Sequence, residues 1–253
     1  VGDSIYQKID LILKTGSCPL YDKIKDIVDP REQFMNIHAV GPKKANELVK
    51  QGITTIDQLR EKKELLNEKQ LIGLKYYEEL LERIPREEIV RHEGLLKKFL
   101  KKTDPNADLT IAGSYRRKKD DSGDIDILLK AESKDTYKNF IKKLVNLGYL
   151  IEELAYGDKK YNGICRMGRK GIGRRIDIMF TKPSEYPFAV LYFTGSGEFN
   201  QMMRKLANEK GFTINEYNIE HLDSGKEVDH VFKVEKDIFD FLDMGYVEPW
   251  QRL

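Results

Sequence analysis

The sequence predicts an α+β fold, on three observations. Apolar residues recur at helical spacing through most of the first hundred positions. Strand-like and helix-like stretches then follow in the order β-α-β-β-β around a run of aspartates, which implies a mixed sheet with one acidic face. A smaller set of helix and strand patterns closes the chain beyond Leu191.

At 253 residues the chain is one large domain or several small ones, and 40% hydrophobic content is enough for a packed core. Charged residues make up 34% of it, and the net charge of +2 conceals basic clusters at Lys43-Lys44, Lys97-Lys98, Lys101-Lys102 and Arg116 to Lys119. Such clusters govern phosphate binding more than the total does. Cys18 and Cys165 are the only cysteines and neither has a zinc-ligand spacing. A reducing, intracellular setting is therefore expected, nuclear in a eukaryote and cytoplasmic in a virus or bacterium. No apolar run approaches the length of a bilayer span, there is no secretory signal, and no membrane partner is expected. The chain does not begin with Met, so residues ahead of Val1 are expected.

The first seventeen residues read as a loop and a short helix, with Ile5, Ile9, Leu11, Ile12 and Leu13 as its apolar side and Thr15-Gly16 as its stop. Lys8 falls within that helix, where a lysine is ordinarily a solvated side chain. From Asp22 to Arg60 the pattern is helix, turn, helix; Ile24 and Ile27 mark the first helix, and Ala45, Leu48 and Val49 the second. Between them Ile37-His38-Ala39-Val40-Gly41-Pro42-Lys43-Lys44 makes a turn, with Gly41 suited to a tight bend and Pro42 to the first helical position. Exposed N–H groups there, next to Lys43 and Lys44, offer a seat for a DNA phosphate in the form of a helix-hairpin-helix motif. Ala39 stands where that motif has its first glycine, and an ordinary helical hairpin is an equal alternative. Glu61 to Arg83 reads as strongly helical, Ile84-Pro85 as a hinge, and Arg86 to Leu100 as another helix.

The stretch Leu109 to Lys130 carries the chemistry. An apolar run ends in Gly113-Ser114, basic residues Arg116 to Lys119 follow, and Ser122-Gly123 leads into Asp124-Ile125-Asp126-Ile127. Alternation along a strand puts Asp124 and Asp126 on one face and the isoleucines on the other. Two adjacent carboxylates repel each other unless cations sit between them, and hard divalent ions bridge carboxylates to phosphates. Gly-Ser offers bare N–H groups and a hydroxyl to phosphate oxygens, and arginines one turn later can clamp them. Asp-x-Asp alone would read as a solvated strand edge. A third carboxylate, Asp177 in Arg174-Arg175-Ile176-Asp177-Ile178, shifts the balance toward a pair of metals. A helix from about Asp135 to Leu147 and strands at Tyr149 to Ile151, Gly163 to Met167 and Arg175 to Phe180 complete this part. Tyr192-Phe193 then precedes a Gly195-Ser196-Gly197 turn and a helix bearing Asn200, Met203 and Arg204, followed by a strand from Gly211 to Tyr217 and a short helix from Asp237 to Leu242.

These blocks together resemble the family X (polymerase beta-like) DNA polymerases. The residues that carry the resemblance are Gly113-Ser114-Tyr115-Arg116-Arg117, Ser122-Gly123-Asp124-Ile125-Asp126, Arg174-Arg175-Ile176-Asp177, Tyr192-Phe193-Thr194-Gly195-Ser196 and Glu209 to Tyr217, in the family's order along nearly the whole chain. The resemblance implies a remnant of a lyase-domain helix at 1–21, a helix-hairpin-helix DNA-binding subdomain at 22–85, a nucleotidyltransferase palm at 86–183 and a small α+β nucleotide-binding subdomain at 184–253. It implies that Asp124, Asp126 and Asp177 hold two Mg²⁺ ions, with Mn²⁺ as a substitute, and that Arg175 orients Asp177. Ser114, Arg117, Ser122 and Gly123 are implied to bind the triphosphate, and Tyr192, Phe193, Gly195 and Asn200 the sugar and nascent pair. Ile37, Val40, Gly41, Lys43, Lys44, Arg204 and Tyr217 are implied to contact DNA, with Na⁺ or K⁺ at the hairpin carbonyls. Lys8 aligns with a Schiff-base lysine, but the rest of its pocket would precede Val1, so lyase activity of this chain is not expected.

The implied activity is extension of a primer 3′-hydroxyl on gapped or primer-template DNA, in short-gap filling during base excision repair, by a monomer. A template-independent terminal transferase and a catalytically silent DNA-binding scaffold are the alternatives. Three positions depart from the family pattern: Gly197 and Gln201 replace an aspartate and a lysine near the nucleotide and template, and Met179 replaces an arginine that pairs with the middle carboxylate.

Overall fold

A computed structural model describes residues 2–19 and 29–252; the helix expected around Ile24 and Ile27 lies outside them. The chain divides into two compact units, Val1–Tyr77 and Glu78–Leu253. No helix among the described residues is long and apolar enough to cross a membrane.

The first unit is helical. Helix α1 (Asp3–Thr15) stops at Gly16, which is left-handed and returns its N–H to Ile12 O at 2.8 Å. Helices α2 (Pro30–Met35), α3 (Pro42–Lys50), α4 (Ile56–Glu61) and α5 (Glu68–Lys75) enclose a core built on Phe34, Ile37, Leu48, Leu59 and Leu74. The expected continuous helix from Glu61 to Arg83 is broken. Lys63–Leu65 is a 3-10 turn, Leu66 is extended, and Asn67 and Gln70 exchange bonds of 3.0 and 3.1 Å that start α5 afresh. The cap competes locally with helix continuation and wins. Ala39 occupies the left-handed region at φ 63°, and Gln70 Nε2 donates to its carbonyl at 3.0 Å.

The second unit contains a five-stranded sheet. In chain order its strands are β2 (Asp108–Ile111), β4 (Ile125–Lys130), β5 (Leu150–Tyr156), β6 (Lys160–Cys165) and β7 (Arg174–Thr181), and in space they run β2-β4-β7-β6-β5. β4 and β7 are parallel and the other pairs antiparallel, so the sheet is mixed. A two-residue pairing joins β1 (Ile84–Pro85) to β3 (Asp121–Ser122). Helix α6 (Arg86–Lys101) and a later helix, α8 (Lys134–Asn146), cover one sheet face, where Ile125, Ile127, Ile176, Ile178 and Phe180 are buried against Leu96, Phe140 and Leu144. Between β2 and β3 lies α7 (Gly113–Arg116).

The other face is covered in part by α9 (Tyr186–Thr194), where Ala189 and Val190 pack on Leu128 and Met179. Met179 is thus a core residue, consistent in its chemistry with an apolar contact and not with an ion pair. α9, α10 (Gly197–Glu209), the hairpin of β8 (Phe212–Ile214) and β9 (Ile219–His221), and α11 (Glu235–Phe241) share a further core around Phe199, Met203, Ile238 and Phe239. The strand expected from Gly211 to Tyr217 ends at Ile214, because Asn215 turns the chain by accepting from Tyr217 N and Asn218 N at 2.8 and 3.0 Å.

Two buried polar groups tie α6 to the sheet. Arg174, 3% exposed, donates to both Glu88 oxygens at 2.8 and 2.9 Å. His92, also buried, shares a 2.6 Å hydrogen bond between Nδ1 and the Tyr149 hydroxyl and keeps Nε2 3.7 Å from Glu88. Burial, only partly offset by Glu88, lowers its pKa to about 4.

Candidate active site

Strand register composes the site. Across the face of β4, β7 and β6, Asp126 lies opposite Asp177, and Asp177 opposite Asn162. One step along, Leu128, Met179 and Lys160 form the next row; Leu128 and Met179 pack under α9, while Lys160 is exposed beside the cleft. Alternation sends the intervening isoleucines to the opposite core, so the carboxylates are held on rigid strands at the open end of the sheet.

The charges are distributed unevenly. Arg175 Nη2 donates to Asp124 Oδ2 at 2.5 Å, and Asn162 Nδ2 donates to Asp177 Oδ1. Arg175, expected to orient Asp177, here reaches with its guanidinium to Asp124, two residues before Asp126 and just ahead of the neighbouring strand. Among the described residues, no side chain donates to Asp126 in this way. Burial, then repulsion by Asp124 and Asp177, pushes its carboxyl up to about 7.

Opposite the carboxylates, α7 presents its first turn. Gly113 sits at φ +54°, and a β-carbon there would lie 2.0 Å from Asp126 Oδ2, so only glycine allows this approach. Ser114 Oγ donates to Ser122 Oγ at 2.7 Å, which aligns Ser114 from behind. Arg117 Nη1 donates to Thr194 O at 2.5 Å and so links α7 to the end of α9. Arg116 turns the other way: it meets Thr194 Oγ1 at 2.6 Å and both oxygens of the buried Glu235 at 3.1 and 2.8 Å. Arg252 Nη1 donates to the same carboxylate at 2.6 Å and Tyr246 OH at 2.9 Å. Lys118 lies 3.5 Å from the centre of the Trp250 ring.

One cleft of about 500 Å³ gathers Ser114, Arg117, Gly123, Asp124, Asp126, Asp177, Tyr192, Phe193, Gly195 and Asn200. Arg83, Lys160, Ser196 and Gly197 line it too; the last two belong to the turn the sequence already marks, whereas Arg83 and Lys160 carry no sequence signal of a site role. Arg83 reaches the cleft from just before β1, and Lys160 needs the β6–β7 register to be seen. Tyr192 and Phe193 stand on the last turn of α9, and Asn200 Nδ2 donates to Tyr192 O at 2.8 Å. Gly195-Ser196 is a cis peptide, with Ser196 capping α10. Arg204 lines a smaller cavity with Tyr192 and Asn200 and lies 5.4 Å from the Tyr192 ring. Tyr217 is not in the cleft; it packs beside Met179 and Val190 with Lys159 4.2 Å from its ring.

In the first unit, Ile37 and Val40 bury their side chains, while Gly41 caps α3 with Lys43 and Lys44 in its first turn. Ile37 O accepts from Val40 N and Gly41 O from Ala45 N, both at 3.0 Å, which leaves each carbonyl a second lone pair. Lys8 is exposed on α1.

Among the described residues no group of His, Cys, Asp and Glu is gathered closely enough to hold a metal ion. The donor set nonetheless suits a hard divalent cation, since it is all carboxylate oxygen, has Asp126 and Asp177 on paired strands, and leaves Asp126 repelled by Asp124 and Asp177.

The chain matches the DNA polymerase beta palm over residues 83–183, the DNA polymerase beta thumb over 189–253, and the fingers domain of DNA polymerase lambda over 32–81. It belongs to the family X DNA polymerases. DNA polymerase lambda of Rattus norvegicus is 32% identical across the whole chain and 47% of the relative. DNA polymerase lambda of Arabidopsis thaliana is 28% identical over 52% of its length, and DNA nucleotidylexotransferase of Xenopus laevis 28% identical over 58% of its length. The chain thus spans about half the length of these family X relatives.

Proposed function

We propose that this chain is a DNA-directed DNA polymerase that joins a deoxynucleotide to a primer 3′-hydroxyl, fills short gaps in base excision repair, and acts inside the cell as a monomer. The observation that carries the reading is the cleft that gathers Asp126 and Asp177 on their strands, and Asp124 just before β4, with Ser114, Arg117 and the Tyr192-Phe193 turn. Divalent cations held by Asp124, Asp126 and Asp177 would activate the attacking hydroxyl and stabilise the leaving pyrophosphate.

The chain's own groups do the rest. The N–H groups at the start of α7, with the Ser114 hydroxyl and Arg117, are suited to triphosphate oxygens. Tyr192 and Phe193 offer ring faces to the sugar, and Asn200, anchored on Tyr192 O, stands beside them. The amides of α3 with Lys43 and Lys44 are suited to a DNA backbone phosphate, and the carbonyls of the Ile37, Val40 and Gly41 hairpin to Na⁺ or K⁺.

A gap-filling assay on a one-nucleotide gap with Mg²⁺, with and without a 5′-phosphate, tests the reading. Extension is expected, with Asp177→Ala inactive yet still binding DNA. Failure of the unaltered chain to extend any primer would overturn it. Similarity to a nucleotidylexotransferase favours one rival, which extension of a single strand without template would select.

A further inference from the structure

We infer that Asn162 is a positioning residue that holds the Asp177 carboxylate for the reaction, an inference that rests on the polymerase reading above. Asn162 belongs to β6, an inner strand between β7 and β5, where an asparagine is disfavoured relative to β-branched and aromatic residues. It occupies the position directly across from Asp177, and its Nδ2 donates to Asp177 Oδ1. An ionised carboxylate only accepts, so the amide must turn its nitrogen toward Asp177. The bond takes one oxygen and leaves Oδ2, which accepts no hydrogen bond among the described residues, free to face the cleft that Asp177 lines.

Asn162 carries this role because the obvious candidate is committed elsewhere. Arg175 lies two residues before Asp177 on the same strand face, but its guanidinium is bonded to Asp124. Asp177 itself stands between a second carboxylate, Asp126, and the amide of Asn162 in one row across the sheet. Repulsion from Asp126 tends to rotate Asp177, and Asn162 is the side chain that opposes the rotation. The bland alternative is a polar strand residue whose amide merely satisfies itself on a nearby oxygen. That alternative predicts effects on stability alone.

The experiment compares Asn162→Leu, close in size but without a donor, with Asn162→His, whose Nδ1–H can stand where the amide nitrogen does. Mn²⁺ binding to the protein without DNA or nucleotide is read by electron paramagnetic resonance, beside single-nucleotide gap-filling kinetics and thermal melting. Loss of a group that orients a metal ligand typically weakens metal binding or activity about 10- to 100-fold. Asn162→Leu is expected to weaken Mn²⁺ binding by about 10-fold or more and lower kcat by more than it raises KM for the nucleotide, with Asn162→His recovering part of both. Wild-type Mn²⁺ affinity and kcat in a folded Asn162→Leu protein would overturn the inference, as would a fall in melting temperature as its sole effect. If the unaltered chain fails to extend primers, the polymerase reading falls by itself, and the Mn²⁺ comparison still decides whether Asn162 holds Asp177.

Discussion

Gly113 and Asp126 approach so closely that one added carbon on the glycine would lie 2.0 Å from the carboxylate. Gly113 is also at a positive φ, where a β-carbon costs on the order of 1 kcal/mol before any collision. Gly113→Ala is therefore expected to move either the first turn of α7 or Asp126. Displacement of a reacting constellation by about an ångström can cost roughly 100-fold in rate. Gap-filling rates beside a melting curve check this: a loss of activity far larger than the loss of stability is the expected result.

Asp126 stores an electrostatic cost. Its carboxyl is raised from 3.8 to about 7, so the folded protein binds that proton more tightly than the unfolded chain does. The associated destabilisation is absent at low pH, grows as pH rises through the interval between those values, and is complete above about 7, reaching on the order of 4 kcal/mol. Asp126→Asn should therefore melt at a higher temperature than the unaltered protein at pH 8 in EDTA, and show no catalysis with Mg²⁺. Equal melting temperatures would argue against the repulsion.

Glu235 joins α11 to α7 through Arg116. Burial opposes its ionisation, yet hydrogen bonds from Arg116 and Arg252 outweigh that and keep its pKa below the usual range. Removing one partner of a buried ionic group strands the others, at roughly 3–5 kcal/mol. Glu235→Ala should lose stability on that scale, and because Arg116 also holds Thr194, nucleotide affinity should fall with it. Chemical denaturation and a nucleotide KM measurement test the two parts separately.

His92 is a base kept neutral by burial. Its pKa falls from 6.5 to about 4 in the folded state, so between those values the unfolded chain binds more protons. Stability is expected to drop as pH falls through that window, by roughly 3 kcal/mol in full. Asn or Gln at position 92 should flatten this part of the stability-pH curve in denaturant titrations from pH 7 to pH 4, at the cost of the Tyr149 contact.

Much of the five-stranded sheet is legible in the sequence because period-two alternation needs only neighbours in the chain. Asp124 and Asp126 separate cleanly from Ile125 and Ile127 on that basis, and α6 and α8 follow from apolar spacing. What the sequence does not encode locally is register. Arg175 stands two residues before Asp177 in the chain but bonds Asp124 in space, and Asn162 and Lys160 gain meaning only when β6 is laid against β7. The uninterrupted helix expected from Glu61 to Arg83 fails for a different reason. Helix-favouring composition is overridden there by the Asn67 cap, a local competitor that apolar periodicity cannot reveal. Arg116 and Arg117 look equivalent in sequence, yet one faces the cleft and the other a buried glutamate, a choice made by tertiary packing.

The parallel match of Asp126 with Asp177 also bears on which length changes the gene can accept. Dropping one codon within Ile125–Lys130 would exchange inside for outside along that ladder, driving acids into hydrocarbon and isoleucines into water. Point substitutions there can be graded; the loss of a single residue cannot. Tinkering with chain length is better tolerated in the exposed bend at Gly157-Asp158, which joins two strands away from the carboxylate row.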